Sequence, residues 1–207
     1  MKILFYGDSI TDASRNREGS PTTSLGYGYV NNVAQQLIGS NPDKYQIINT
    51  GISGNRIVDL YARVKIDCWN YNPDLISILI GVNDVWHEIE RENGVELDRF
   101  ENIYRTMLKE TIERLPNVKL MILEPFVLKG TATEEDFEEF KAVYEYAKVA
   151  KKLANEFNAV FVPLQQLFDE SAEKYGEQTC LIDGVHPNVY GCSLIAREWL
   201  KKFTEIE

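Results

Sequence analysis

The chain is 207 residues long, 44% of them hydrophobic and 26% charged, a balance that suits a globular fold with a sizeable core. Asp and Glu total 32 against 22 Lys and Arg, and the formal net charge of −10 argues against nucleic acid or an anionic membrane surface as a partner. No apolar run approaches the roughly 18 residues that a bilayer span needs. The start carries no basic-then-apolar leader, and Cys68, Cys180 and Cys192 lack C-x-x-C spacing, so reduced thiols in a cytoplasmic protein are expected rather than disulfides or a zinc site.

In chain order, the apolar run at 2–6 reads as a first strand and ends in Gly7-Asp8-Ser9-Ile10-Thr11. Helical periodicity follows over 29–38, then a strand at 45–49 and the loop Thr50-Gly51-Ile52-Ser53-Gly54-Asn55. A helix is predicted over 57–69 and a strand over 75–80, the latter ending in Gly81-Val82-Asn83-Asp84. Leu97, Phe100, Tyr104, Met107, Leu108 and Leu115 fall on one face of the next helix, which leads to a strand at 119–123. Thr133 followed by Asp136 looks like the N-cap of a longer helix marked by Phe137, Phe140, Tyr144, Ala147, Ala154 and Phe157. The acidic cluster from Glu134 to Glu139 suits the solvated first turns of that helix better than a metal site. A strand at 160–162 and an amphipathic helix over 189–203 complete the pattern.

Five βα units in this order imply a three-layer α/β/α sandwich on a mainly parallel, five-stranded sheet of flavodoxin-like strand order. No repeat or Pro/Gly/Ser linker divides the chain, so residues 1–207 read as one domain.

Ligands of such sheets sit beyond the carboxyl ends of the strands, near the point where the strand order reverses. That places Ser9 and Asn83 across one crevice, on loops whose glycines and small polar residues allow tight turns and close approach. The chain has two histidines. His186 lies in Asp183-Gly184-Val185-His186-Pro187, where a carboxylate three residues before an imidazole can orient one ring nitrogen and leave the other free for a hydroxyl nucleophile. Alone, the doublet reads first as a structural cap; together with Ser9 on a glycine-preceded turn and the glycine and asparagine loops at the same sheet edge, it reads as a catalytic pair. His87, after Trp86, reads as a surface or supporting residue, and two histidines without suitable cysteines argue against a preformed transition-metal site.

Four blocks carry a family resemblance: Gly7-Asp8-Ser9-Ile10, Gly51-Ile52-Ser53-Gly54, Gly81-Val82-Asn83-Asp84 and Asp183-Gly184-Val185-His186-Pro187. In this order the chain resembles the SGNH branch of the GDSL esterases and acylhydrolases. The resemblance implies Ser9 as nucleophile, His186 as general base and then acid, and Asp183 as its orienting carboxylate. It also implies an oxyanion hole from the backbone N–H groups of Ser9 and Gly54 and the side-chain amide of Asn83. No cofactor or metal is implied. Preorganised donors of this kind are what a developing oxyanion requires. At Gly54 a Cβ is expected to obstruct the acyl group. Ile10 stands where the family name has leucine, and Val82 where glycine is frequent; neither position carries a reacting group. Asp8 and Asp84 adjoin the catalytic positions and are expected to serve turn hydrogen bonds rather than proton transfer.

The strings from Gly7 to Asp12, Gly28-Tyr29-Val30, Gly51-Ile52-Ser53-Gly54-Asn55 and Asn83-Asp84-Val85-Trp86 are similar to bacterial acetylxylan esterases of the same superfamily. The expected function is therefore a serine esterase acting on short acyl, chiefly acetyl, esters of xylo-oligosaccharides or related carbohydrates. A lysophospholipase or thioesterase-type acylhydrolase is the rival within the class. A nucleotide- or acetyl-sugar-binding module is the rival outside it, disfavoured because no G-x-G-x-x-G or G-x-x-x-x-G-K-[ST] motif occurs. Trp86 is a candidate sugar-stacking residue, whereas Trp69 and Trp199 fall on helical patterns and read as core. Related esterases associate, so a homo-oligomer is an open expectation.

Overall fold

The computed structural model describes residues 1–206. Five strands, β1 (Lys2–Gly7), β2 (Gln46–Asn49), β3 (Leu75–Leu79), β4 (Lys119–Leu123) and β5 (Val160–Val162), form one sheet in the order β2-β1-β3-β4-β5. Every pairing is parallel. The chain steps outward from β1 to β2, then crosses back to β3 on the other side of β1. The crevice between β1 and β3 is thus the switch point at which ligands of such sheets bind.

Parallel strands must be covered on both faces, and β1 demonstrates how adjacent residues serve opposite layers. Phe5 lies against Tyr29 of α2 (Tyr29–Ser40) and Trp199 of α9 (Val189–Phe203), with ring centroids 5.8 and 5.2 Å away. The next residue, Tyr6, points the other way and donates its hydroxyl to the Leu60 carbonyl of α3 (Ile57–Asp67) at 2.5 Å. Ser77, paired with Phe5 in register, leaves room for the Trp199 indole and accepts its N–H at 2.9 Å. The indole is fully buried, and its polar edge is satisfied by the one small hydroxyl in an otherwise apolar strand. On the Tyr6 face, α3 packs on α5 (Leu97–Arg114), and α5 on α7 (Val143–Glu156).

Several boundaries differ from the sequence expectation for local reasons. The Gly7 and Gly81 blocks are not loops throughout: α1 (Ser9–Asp12) and α4 (Val82–Arg91) start inside them. The helix expected over 57–69 stops at Asp67, and Trp69 starts a separate 3₁₀ turn, Trp69–Tyr71. Trp69 is half-buried rather than core, with its indole N–H donated to Thr111 Oγ1 at 2.9 Å. The long fourth helix is two, α6 (Phe137–Phe140) and α7, joined through i→i−3 hydrogen bonds at Ala142, Tyr144 and Glu145. That tighter turn keeps Phe140, Val143 and Ala147 buried on one side, so the apolar period survives the break.

Thr133 does not cap this helix. Its hydroxyl donates to the Leu128 carbonyl at 2.6 Å and accepts the Gly130 N–H at 2.9 Å, and Asp136 takes the N-cap position of α6. The acidic cluster is largely exposed, and among the described residues no three His, Cys, Asp or Glu side chains form a metal-holding group. A further helix, α8 (Gln165–Tyr175), lies between β5 and the Asp183 turn, where no helix was predicted.

Candidate active site

Ser9 is the first residue of α1, directly beyond the β1 strand end. Asp8 caps that single turn: its Oδ1 accepts the Ile10 N–H at 3.0 Å, and the turn holds Ser9 at the sheet edge. Asp183 and His186 come from the far end of the chain, in the turn between α8 and α9. An antiparallel bridge between Leu181 and Pro187 closes that turn, helped by Ile182 N–H to His186 O at 2.7 Å. Asn188 then caps α9 by accepting the Tyr190 and Gly191 N–H groups, which fixes the exit of the turn.

The three side chains form one continuous chain of hydrogen bonds. Asp183 Oδ2 lies 2.7 Å from His186 Nδ1, and His186 Nε2 lies 2.9 Å from Ser9 Oγ. The carboxylate is only an acceptor, so Nδ1 carries the proton and Nε2 accepts from the serine hydroxyl. The other carboxylate oxygen, Asp183 Oδ1, accepts the backbone N–H groups of Val185 and His186 at 3.0 and 2.8 Å. Burial alone would raise the Asp183 pKa. Hydrogen bonds from the His186 ring and from those two N–H groups overcome it and hold the carboxyl at about 2. The same Asp183 contact raises the His186 pKa above its ordinary value, against the opposing effect of burial.

The expected oxyanion donors lie at the same edge. Gly54 follows β2 with φ of +81°, a left-handed backbone that glycine adopts freely. A Cβ built there would meet no protein atom within 4 Å, so this backbone conformation is what the fold itself requires of the glycine. Asn83, in the first turn of α4, donates one amide hydrogen to the Asn55 carbonyl at 3.0 Å. That bond sets the amide orientation and leaves its second hydrogen available. Among the described residues, neither the Ser9 nor the Gly54 N–H has a protein acceptor.

The Gly54 loop is clamped from both sides by carboxylates. Asp12 Oδ2 accepts the Ser53 N–H at 2.9 Å, and Asp84 Oδ1 accepts the Ile57 N–H at 3.0 Å. The latter is a long-range tie between the blocks after β2 and β3, not the local turn bond expected for Asp84. Asp12 had no assigned part in the sequence reading, although it closes the first block. Thr133 and Gly130 were likewise missed as supports of the Asp183 turn. Leu128 N–H donates to Gly184 O and Ala132 N–H to Asp183 O, and a Cβ on Gly130 would overlap the Asp183 backbone. No local pattern marks that role, because it depends on contacts between segments far apart in the chain.

Trp86 stands beside the site, its ring 5.8 Å from the His186 ring and 5.9 Å from that of Phe140. Its indole N–H donates to Glu90 Oε1 at 2.6 Å, and the side chain is half-buried. His87 is half-buried on the same helix, and burial lowers its pKa. A cleft of about 540 Å³ opens over Ser9 and His186 and runs toward Arg15, Arg17 and Tyr27.

The chain matches the GDSL-like lipase/acylhydrolase family over residues 5–194. It belongs to that family. It is 38% identical to an acetylxylan esterase from Geobacillus stearothermophilus over 97% of its own length and 93% of the relative's. The crystal structure of that organism's acetylxylan esterase Axe2 superposes with a TM-score of 0.87 at 36% identity, covering 97% of this chain and 93% of that one. A Parabacteroides merdae protein described as a GDSL-like lipase gives 0.92 at 41% identity, covering 98% and 95%. The three-layer sandwich is thus the SGNH hydrolase fold, and this acylhydrolase is a carboxylic ester hydrolase with a small-molecule ester as substrate. In Axe2, structures of catalytic mutants replace a serine, an aspartate and a histidine by alanine, the aspartate three positions before the histidine.

Proposed function

We propose that this esterase removes acetyl groups from xylo-oligosaccharides or related carbohydrates through an acyl-enzyme on Ser9. The observation that carries the chemistry is the unbroken Ser9–His186–Asp183 hydrogen-bond chain at 2.9 and 2.7 Å. The substrate class rests on the near full-length similarity to an acetylxylan esterase. The spacing of Asp183 and His186 matches that of the catalytic aspartate and histidine of Axe2.

As Ser9 Oγ attacks the ester carbonyl, His186 Nε2 takes its proton. Asp183 stabilises the imidazolium that forms and keeps Nδ1 protonated. The tetrahedral oxyanion is held by the Ser9 and Gly54 N–H groups and the free Asn83 amide hydrogen. His186 then gives its proton to the departing sugar hydroxyl. It next deprotonates a water, which attacks the acyl carbonyl and releases acetate and Ser9. Trp86, packed against His186, lies where an indole face can rest on the leaving sugar.

The test is acetate release from acetylated xylo-oligosaccharides, with S9A as the blank. Release by the parent protein alone is expected. Hydrolysis of p-nitrophenyl acetate without release from the oligosaccharides would retain the serine esterase and remove the carbohydrate. A preference for octanoyl over acetyl model esters would favour the lysophospholipase or thioesterase reading instead.

A further inference from the structure

The cleft over Ser9 and His186 is charged against the trend of the molecule. The chain as a whole carries −10, yet the charged side chains lining the cleft are Asp12, Arg15 and Arg17. Asp12 is fully engaged. Its carboxylate takes the Arg17 guanidinium together with the Arg15 and Ser53 backbone N–H groups. Arg15 is not neutralised in this way. Its Nε donates to the Gly51 carbonyl at 2.8 Å, a neutral acceptor, and among the described residues no carboxylate lies within ion-pair distance of its side chain. Arg15 is half-buried, and burial lowers its pKa; the attraction of the nearby Asp12 carboxylate, itself bonded to Arg17, opposes that shift without reversing it.

Arg15 also forms the wall between two hollows. The catalytic cleft and a second depression of about 360 Å³ share Ser14, Arg15 and Tyr27. The second is lined further by Asn16, Thr23, Ser24 and Asn31, side chains suited to hydroxyl groups. Ala13 and Ser14 both have positive φ (43° and 59°), so the turn carrying Arg15 is held in an uncommon conformation for residues with a Cβ. The Tyr27 N–H donates to Ala13 O at 2.8 Å, tying the tyrosine to that turn, and its side chain is 86% exposed. An aromatic face, a guanidinium in no direct ion pair among the described residues and a ring of hydroxyls and amides together fit a sugar that bears a carboxylate.

We infer that Arg15, with Tyr27 and the adjoining polar hollow, forms a subsite for a uronic acid substituent, so that the preferred substrate is an acidic acetylated oligosaccharide. This rests on the carbohydrate reading above and narrows it. The carboxylate of the branch pairs with the free terminal nitrogens of Arg15, and the acetyl-bearing sugar lies between that contact and Ser9. Arg suits this task because its planar guanidinium meets a carboxylate with two parallel donors.

The decisive comparison is kcat/KM for acetylated xylotetraose with and without a glucuronyl branch, in the parent protein, R15Q and R15K. A preference of about tenfold for the branched substrate is expected at low ionic strength, as one charge-assisted contact supplies. It should fall to near unity in R15Q, survive in part in R15K, and shrink with added salt. The ratio is the readout, so a general loss of activity from the missing Arg15–Gly51 bond does not mimic the result. A parent ratio of one or below, or a preference that R15Q leaves intact, overturns the subsite. If neither oligosaccharide is deacetylated while p-nitrophenyl acetate is, the carbohydrate deacetylase reading fails. Inhibition of that residual hydrolysis by glucuronate against glucose then judges the anion site separately. Stronger inhibition by glucuronate that is lost in R15Q upholds it, and equal inhibition overturns it.

Discussion

Asn83 illustrates how one side chain is prepared for one moment of a reaction. Its amide is turned by the Asn55 carbonyl so that a second hydrogen stays unspent, and the side chain is only 5% exposed. Replacing it by alanine removes one donor and leaves the general base in place. N83A is therefore expected to lose roughly 10²–10³-fold in kcat with little change in KM, measured on p-nitrophenyl acetate. His186 is governed by a different contact. Activity needs its neutral form, and Asp183 raises its pKa, so the acid limb of kcat/KM lies above the ordinary histidine value near 6.5. Weakening that contact in D183N should move the limb to lower pH while sharply lowering the plateau. A limb that stayed in place would mean that Asp183 does not set the titration of His186.

Among the structural elements, the segment after β4 decides whether the catalytic turn stays in place. Gly130 lies against the Asp183 backbone, and Thr133 locks Gly130 and Leu128 through one buried hydroxyl. G130A is expected to displace the Asp183 turn and lower kcat at least tenfold. The β-sheet core should persist, because the atoms nearest the introduced methyl belong to the Asp183–Gly184 turn; circular dichroism together with the rate checks both. Much of this level was legible beforehand. The strands were written as short apolar runs, and the motif blocks fell at their carboxyl ends, because parallel strands buried on both faces leave little other pattern possible. What was not legible has physical reasons. The helix from Val82 begins inside a motif that looks like a loop, since Gly81 supplies the turn and Asn83 and Asp84 are weak helix formers. The helix over Gln165–Tyr175 buries little besides Phe168 and Ser171, too faint a stripe for periodicity to register. Thr133 was read through its sequence neighbour Asp136, whereas its partners are at Leu128 and Gly130 and its purpose lies at Asp183.

At the scale of the whole molecule, the two buried carboxyls beside the catalytic positions make stability depend on pH. Asp8 and Asp84 are almost completely inaccessible, and among the described residues each leaves one carboxyl oxygen, Oδ2, without a hydrogen-bond partner. Burial raises their pKa values to about 7 and about 8, and for Asp84 the neighbouring Asp8 adds to the rise. A folded-state pKa above the unfolded value near 3.9 means that the native chain holds protons which the unfolded chain releases. Their contribution is present in full below about pH 4 and is lost as pH climbs toward 7 to 8. Asp183 has the opposite sign, but its shift, to about 2, is already fully expressed above pH 5. The melting temperature is therefore expected to fall between pH 5 and pH 9. A loss of about 2 kcal/mol lowers Tm by roughly 4–8 °C for a chain of this size. General repulsion in a chain of charge −10 also grows with pH, so D84N is the discriminating variant. Its Oδ1 still accepts the Ile57 N–H, its amide takes the place of the unpaired Oδ2, and it cannot ionise. D84N should show a flatter Tm profile and be the more stable protein at pH 9. A D84N profile as steep as that of the parent would assign the pH dependence to surface charge and leave Asp84 only a hydrogen-bonded tie between α3 and α4.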